Sequence, residues 1–228
     1  MGFLTGVDAE GVRAFYDHAQ RFRFPSHYLL FAQNEAHECT YLIEEGLVRV
    51  FYLAPTGKAF TLAFWSAGNL VGGPNVFGGC RHTWGAEVTV PSRLWSIKGE
   101  DLRQATIRSP SLAQRVLDGV AFKLQWLSIG VQNLATESVD TRLARLLLNL
   151  SELYGLPTRD GTMIRYLFRH EDLATMIGAS RQWVTRAINA LTQAGIIRHE
   201  GAHYVVLQPH MLRDECAEMP RTHPGPDD

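Results

Sequence analysis

Residues 170–197 read HEDLATMIGASRQWVTRAINALTQAGII and contain the most specific pattern in the chain. Glu171 and Asp172 place carboxylates in the first turn of a predicted helix, where the positive end of the helix dipole favours them. Gly178 ends that helix at the left-handed position of a helix-turn-helix, and Ser180 follows as the N-cap of a second helix. The stretch therefore predicts two helices joined by a tight turn.

The second predicted helix has an apolar face and a polar face. Val184, Ile188 and Leu191 have the spacing that packs this helix against the first one. Polar side chains at the start of such a helix reach base edges in the major groove of DNA, and basic groups nearby hold phosphates. The candidate DNA-binding residues are Ser180, Arg181, Gln182, Thr185, Arg186, Arg169 and His199.

Further elements surround the helix pair and complete a winged helix-turn-helix over residues 139–213. Residues 140–154 predict a helix and residues 165–168 a strand or its edge, while a turn at Glu200–Gly201 between two apolar runs predicts a wing hairpin. Residues 139–213 carry 9 Arg and Lys against 6 Asp and Glu, whereas residues 1–138 carry 12 of each. Ordinary solvated surfaces show such a surplus too, so it favours nucleic acid only together with the helix pair.

The first part of the chain has the pattern of an antiparallel β-roll. Residues 27–100 alternate short apolar runs with polar turns, including glycine turns at Gly46 and Gly57. A short amphipathic helix is predicted over residues 9–21. The predicted fold class is α+β, with a β-roll sensing domain over residues 1–110 and a separate long helix after it.

Residues 111–138 predict that long helix, and its apolar residues follow two interleaved seven-residue series. This heptad pattern favours a helix that pairs with a second copy, although a buried core helix is the alternative. The predicted dimerisation residues are Leu117, Val120, Leu124, Leu127, Val131 and Leu134.

Composition excludes several classes of protein. The chain has 228 residues, of which 46% are hydrophobic and 20% charged, so it is not a disordered chain. It has no apolar run of the roughly 20 residues that a membrane helix needs, and no secretory signal pattern. Three distant cysteines favour reduced thiols, so the expected compartment is the cytoplasm. Residues 214–228 are predicted as an acidic tail.

With LATMIGASRQWVTRAINALTQAGII and the roll pattern GLVRVF…GKAFTLAFWSAGNLVGG, the sequence resembles the CRP/FNR family of bacterial transcription regulators over nearly its whole length. The resemblance implies a cyclic-nucleotide-binding-like roll and a homodimer on a palindromic DNA site. Arg181, Gln182 and Arg186 match the family's base-reading positions, although many members have Glu in place of Gln182. It also implies that residues 156–165 form an exposed loop that contacts RNA polymerase, and activation is the preferred outcome.

The predicted sensor departs from the family's cyclic-nucleotide pattern. Gly73 stands where the family has a Glu, and Thr83 and Trp84 stand near its Arg-Ser pair. Only Arg81 and His82 remain to neutralise a phosphate, so cAMP is disfavoured. An iron–sulfur cluster is disfavoured as well, because there are no closely spaced cysteines near the N-terminus.

A small organic effector is the preferred ligand, with haem and no ligand at all as alternatives. Aromatic residues Phe77 and Trp126 join the predicted pocket, although they are equally typical of plain core. The pocket residues are Gly72, Gly73, Trp65, Arg81, His82, Thr83, Trp84, Leu124, Leu127 and Ser128. Cys80 and His82 are the haem candidates, whereas His37 and Cys39 make an incomplete metal site, so no metal is predicted.

An enzyme is the rival class, because a β-roll resembles the jelly roll of cupin enzymes. The chain offers His82 and Glu87 but no paired histidines of the kind that a cupin metal site uses. A cyclic-nucleotide-gated channel or kinase subunit is a second rival, and no membrane span or kinase motif accompanies the roll. The sequence therefore predicts an effector-controlled, DNA-binding transcription regulator and no enzyme.

Overall fold

The computed structural model describes residues 2–217. The chain divides into two compact units, Met1–Ser128 and Ile129–Asp228. No helix in residues 2–217 is long and apolar enough to cross a membrane.

The first unit consists of helices around two four-stranded antiparallel sheets. One sheet has the strand order β1-β8-β3-β6 and the other β2-β7-β4-β5. Its elements are α1 (Ala9–Tyr16), β1 (Gln20–Phe24), β2 (Tyr28–Phe31), β3 (Cys39–Glu45), β4 (Leu47–Leu53), β5 (Ala59–Ser66), β6 (Leu70–Val71), β7 (Gly85–Val88), β8 (Ser92–Lys98) and α2 (Gly99–Arg108). The predicted α+β fold with an antiparallel roll is confirmed.

Strand alternation gives this unit two cores. Neighbouring side chains of a strand point to opposite faces of the sheet. Ile43 and Leu94 therefore enter a core with residues of both sheets, while Leu42 and Ile97 enter a second core beneath the helices. Fully buried Phe15 anchors α1 in this second core.

Helix α3 (Pro110–Thr136) begins with a proline, which suits the first helical position because its missing N–H would have no helical partner there. Leu112 and Val116 near its start are buried in the second core of the roll. Later in the helix, Leu124 and Val131 are 65% and 66% exposed in the single chain. The apolar spacing of the sequence thus continues on an uncovered helix face.

The second unit combines three helices with a four-stranded antiparallel sheet of order β11-β12-β10-β9, and a last helix packs on α4. Its buried apolar residues come from each of the first three helices, including Leu147, Leu173 and Ile188. Its elements are α4 (Val139–Tyr154), β9 (Gly155–Pro157), β10 (Thr162–Ile164), α5 (His170–Ile177), α6 (Arg181–Gln193), β11 (Ile197–Glu200), β12 (His203–Val206) and α7 (Pro209–Ala217).

Two element predictions in the second unit are wrong. The strand expected at 165–168 lies instead at Thr162–Ile164, because fully buried Ile164 anchors β10 while Phe168 leaves the sheet and stacks near Tyr154. The segment 156–165, expected as an exposed loop, is largely the β9–β10 hairpin with its turn at 158–161.

Two helix boundaries also differ from expectation. The helix expected over 9–21 ends at Tyr16, because residues 20–24 pair with β8. Residues 214–217, assigned to an acidic tail, continue α7, where Cys216 lies half-buried with its Sγ 3.9 Å from the Thr141 carbonyl. The rest of the expected tail, residues 218–228, lies outside the described residues.

Candidate nucleic-acid interface and sensor cassette

The turn between α5 and α6 has the predicted conformation. Gly178 has φ 69° and ψ 29°, in the left-handed region, and its N–H donates to the Ala174 carbonyl. Ser180 is extended, and its Oγ accepts from the Trp183 N–H at 3.1 Å. The Ser180 hydroxyl therefore caps α6, which we call the recognition helix.

The recognition helix buries one face and exposes the other. Val184 and Ile188 are fully buried. Arg181, Gln182 and Arg186 are exposed. The structure thus brings the three predicted base-reading side chains together on one solvent-facing surface at the start of the helix.

Thr185, the fourth predicted residue on this face, is held by two hydrogen bonds. Its Oγ1 donates to the Arg181 carbonyl at 3.0 Å. The same oxygen lies 2.8 Å from Nδ1 of His170, which must then be the donor, because the hydroxyl hydrogen is already used. These bonds engage the Thr185 hydroxyl and leave its methyl group for an apolar contact such as a thymine methyl.

A cleft of about 630 Å³ lies beside the start of the recognition helix. It brings three predicted DNA-binding residues, Arg169, Arg181 and His199, together with His170, which sequence reasoning missed. Glu171 is the one carboxylate among the lining residues. These are Leu167, Phe168, Arg169, His170, Glu171, Arg181, His199, Ala202 and Tyr204.

The electrostatics of the cleft favour an anion. Burial first, and then the proximity of His199 and Arg181, lower the pKa of His170 below its ordinary value. A phosphate in the cleft would offset these neighbours and stabilise the charged form of His170. The signal that could have identified His170 is its place next to Arg169, at the first position of α5.

In the first unit, the cassette loop spans residues 72–84. Gly73 has φ 147° and offers no carboxylate. A Cβ built on Gly72 would lie 2.5 Å from Thr40 Oγ1 and 3.1 Å from His37 Nε2, so the protein's own side chains crowd this backbone. Exposed Arg81 donates through Nη1 to the Asn34 carbonyl at 2.6 Å, and Thr83 is also exposed.

His82 cannot neutralise a phosphate as the sequence suggested. It is 3% exposed, and its ring stacks between Phe31, 3.7 Å away, and His37, 4.2 Å away. Burial lowers the pKa of His82 to about 4, so the imidazole is neutral at pH 7. Its Nδ1 is buried without a hydrogen-bond partner.

The thiol and imidazole groups near this stack form no multidentate site. Exposed Cys80 has its Sγ 4.0 Å from Nδ1 of buried His37, another residue whose burial the sequence did not indicate. Among the His, Cys, Asp and Glu side chains of residues 2–217, no group of three or more could hold a metal ion.

The predicted pocket residues lie in different environments. Trp65 is 7% exposed and belongs to the core between the sheets, against which Trp84 also packs. Phe77 packs against the other core, so the structure separates it from those two tryptophans. On α3, Leu124 and Ser128 are exposed while Leu127 is half-buried.

Lys123 on α3 is a half-buried cation that sequence reasoning missed. Its Nζ donates to the Leu70 carbonyl and lies 5.7 Å from the centroid of the Trp65 ring. Burial lowers the pKa of Lys123 to about 8. No carboxylate in the described part of the chain forms an ion pair with it. The available signal was a lone lysine among the apolar residues of the long helix.

Comparison with known families matches both units. Residues 21–109 match the cyclic nucleotide-binding domain, and residues 141–215 match the Crp-like helix-turn-helix domain. The chain is 25% identical over 211 residues to a CRP-like cAMP-activated global transcriptional regulator of Mycobacterium tuberculosis, covering 92% of this chain and 94% of that protein.

Two further similarities extend over most of the chain. A global nitrogen regulator of Synechococcus elongatus is 26% identical over 188 residues, covering 82% of this chain and 85% of that protein. The solved structure of FixK2 from Bradyrhizobium japonicum superposes with a TM-score of 0.78 at 21% identity, covering 89% of this chain and 99% of that chain.

Substitution of Gly178 tests the turn. We expect Gly178→Ala to destabilise the second unit by about 1–2 kcal/mol, because an L-residue is strained in the left-handed region. Gly178→Asn should cost less, since Asn tolerates that conformation better. Urea unfolding followed by circular dichroism measures both; equal losses for Ala and Asn would contradict the conformational explanation.

Proposed function

Because this chain belongs to the CRP/FNR family of transcription regulators, whose members matched above are not enzymes, we propose that it binds a palindromic promoter site as a homodimer. The observation that carries this proposal is the exposed polar face of the recognition helix, beginning at Arg181 behind the left-handed turn at Gly178. Each protomer of such a dimer would insert one recognition helix into the major groove of one half-site.

The proposed sequence readout uses three exposed side chains of the recognition helix. Arg181 and Arg186 are suited to bidentate bonds with guanine O6 and N7, and Gln182 to adenine N6 and N7. A Gln carries an amide in place of a carboxylate, so Gln182 lacks the purely accepting group that suits cytosine N4. We therefore expect a half-site that differs from that of family members with Glu at this position.

The proposed backbone contacts flank that face. Arg169 at the start of α5 and His199 in the wing line the same cleft as Arg181. Contacts to phosphates set the position of the helix in the groove without reading sequence. Ser180 supports this arrangement as the N-cap of the recognition helix.

The proposed dimer pairs the α3 helices of two protomers. Leu117, Leu124 and Val131 recur every seven residues and are all more than 60% exposed in the single chain. A second copy would cover this apolar stripe, as in a coiled coil. Val120 and Leu127, from the second series, are half-buried, and Leu134 is 39% exposed.

The effector that we propose is a small organic anion, and not cAMP. Lys123 supports an anion, because a half-buried cation without an ion pair among the described residues is stabilised by a negative ligand. The cassette lacks the family's carboxylate at Gly73 and its Arg-Ser pair at Thr83 and Trp84. Ligand binding would shift the population of dimer arrangements toward the one that fits DNA.

No observation favours the haem alternative over this effector. The ring faces of His82 are covered by Phe31 and His37, and its remaining capacity is one buried nitrogen. Cys80, the other haem candidate, is exposed in the cassette loop. An iron–sulfur cluster has no support either, since the three cysteines are distant in the sequence.

We propose activation of transcription in the cytoplasm, through contact with RNA polymerase at the β9–β10 hairpin. Leu156 in β9 is 42% exposed, and the turn after it exposes Arg159 and Asp160. Arg198 of the wing donates to Asp160 at 2.6 Å, which helps to fix the turn. An exposed apolar side chain beside charged groups suits a transient protein contact.

The base-reading role of Arg181 is tested by Arg181→Ala. We expect the preference for a selected site over a scrambled duplex to fall by about 1–3 kcal/mol, because one bidentate base contact is lost. Arg213→Ala, which removes an equal charge at an exposed position of α7, should preserve the preference. Fluorescence anisotropy measures both affinities; an equal loss on the two duplexes would assign Arg181 to phosphates instead.

The dimer is tested by Leu124→Glu. We expect this variant to sediment as a monomer in analytical ultracentrifugation, because an introduced charge would be buried in the paired stripe. Ile107→Glu is the matched control, since Ile107 is 69% exposed on α2 and lies off the stripe. A Leu124→Glu dimer as stable as the wild type would refute the α3 interface.

The effector proposal is tested by adding cAMP during thermal unfolding. We expect millimolar cAMP to leave the unfolding temperature unchanged, because a ligand stabilises the folded state only if it binds it. A DNA duplex should raise that temperature and serves as the positive control. A saturable rise with cAMP would overturn our exclusion of this nucleotide.

A further inference from the structure

One titratable group in the cleft beside the recognition helix, His170, is hydrogen-bonded to Thr185, a predicted DNA-binding residue. His170 Nδ1 donates to Thr185 Oγ1 at 2.8 Å, and Thr185 Oγ1 donates to the Arg181 carbonyl. Nδ1 therefore keeps its proton, and a second proton on the ring has to enter at Nε2. His170 thus connects the protonation of the cleft with the arrangement of the base-reading helix.

Charged and titratable groups face His170 from every element around the cleft. Burial first, and then the proximity of His199 and Arg181, disfavour the imidazolium of His170 in the free protein. Among the carboxylates, Asp172 accepts from the Arg169 backbone N–H at 2.8 Å and Glu171 is exposed. Among the described residues, the charged and titratable groups that line the cleft with His170 are Arg169 at the N-cap of α5, Glu171 of α5, Arg181 of α6, and His199 and Tyr204 of the wing, and Asp172 lies beside Tyr204.

A phosphate bound in the cleft would favour the protonated form of His170. A phosphodiester carries one negative charge, which would screen His170 from Arg181 and His199 and would accept a charge-assisted hydrogen bond. The cleft, at about 630 Å³, is large enough for such a group. The lining supplies Arg169, Arg181 and His199 as further donors.

We propose that this cleft takes a phosphodiester of the DNA backbone together with a proton on His170 Nε2, so that DNA binding consumes a proton. The inference rests on the proposed DNA-binding function and adds a regulatory property to it. His170 acts here both as a phosphate ligand and as a positioning residue for Thr185.

The sign of the pH dependence follows from linkage. In the free protein the pKa of His170 lies below the ordinary histidine value of about 6.5. Bound phosphate raises that pKa, so affinity for DNA increases as pH falls through the raised value and levels off below the free value. Above the raised pKa, affinity is independent of this group.

The test measures DNA affinity of the full chain between pH 5.5 and pH 8.5. A random-sequence 30-base-pair duplex at constant ionic strength is the probe, because a phosphate contact does not require a specific site and salt alone changes affinity. We expect wild-type affinity to rise about 3- to 10-fold per protomer toward low pH, since one pKa unit corresponds to a factor of ten. His170→Gln retains a donor for Thr185 but cannot titrate, and should flatten this rise.

His210→Gln is the matched control, because His210 is exposed on α7 and does not line the cleft. It should keep the wild-type pH profile. A second measurement is the NMR titration of the His170 ring in the wild-type protein, where the duplex should raise its pKa. This measurement stays informative if His170→Gln folds poorly.

Four outcomes are distinct. Loss of the pH dependence in His170→Gln with retention in His210→Gln, or a DNA-induced rise in the pKa of His170, supports the proposal. DNA binding that is independent of pH in the wild type overturns it while leaving the proposed function intact. If His199→Gln abolishes the pH dependence of DNA affinity and His170→Gln does not, the proton binds in the wing, and the proposal is overturned. Absence of DNA binding at every pH refutes the proposed function itself.

Discussion

The left-handed backbone at Gly178 is the constraint from which the geometry of the second unit follows. It lets α5 end and α6 begin within three residues, with Ser180 capping the new helix. Val184 and Ile188 are then buried, and Gln182 and Arg186 face solvent because they lie on the other side of the helix, whereas Arg181 is exposed in its first turn. A turn residue with no functional group thus determines where the functional groups point.

The histidines of the two units lie in different environments. In the roll, His37 and His82 are buried and stacked, and burial keeps His82 neutral. Beside the recognition helix, partly exposed His170 and exposed His199 share an open cleft with two arginines, where an anion would favour the charged form of His170. Histidines of the same chain are therefore packed in the core of one unit and accessible to solvent in the other.

Much of the DNA-binding unit was predictable from sequence because its signals are local. A glycine at the turn, a serine cap and apolar residues three and four apart act within one or two helical turns, and the structure confirms each of them. The heptad of α3 and the glycine turns of the roll were visible for the same reason. The strand expected at 165–168 was wrong because burial of Ile164, a tertiary contact, sets the register of β10.

The linear order of residues specified the helix pair, the wing, the alternation of the roll strands and the polar set at Arg181, Gln182 and Arg186, since each depends on neighbours a few positions away. Folding in three dimensions was needed to show that His170 reaches Thr185, that His82 lies between Phe31 and His37, and that Lys123 lies half-buried over the Trp65 ring. These contacts join residues 15 to 58 positions apart. Contacts between residues so far apart in the sequence arise from tertiary packing. Packing in turn shifts the pKa values of His170, His82 and Lys123.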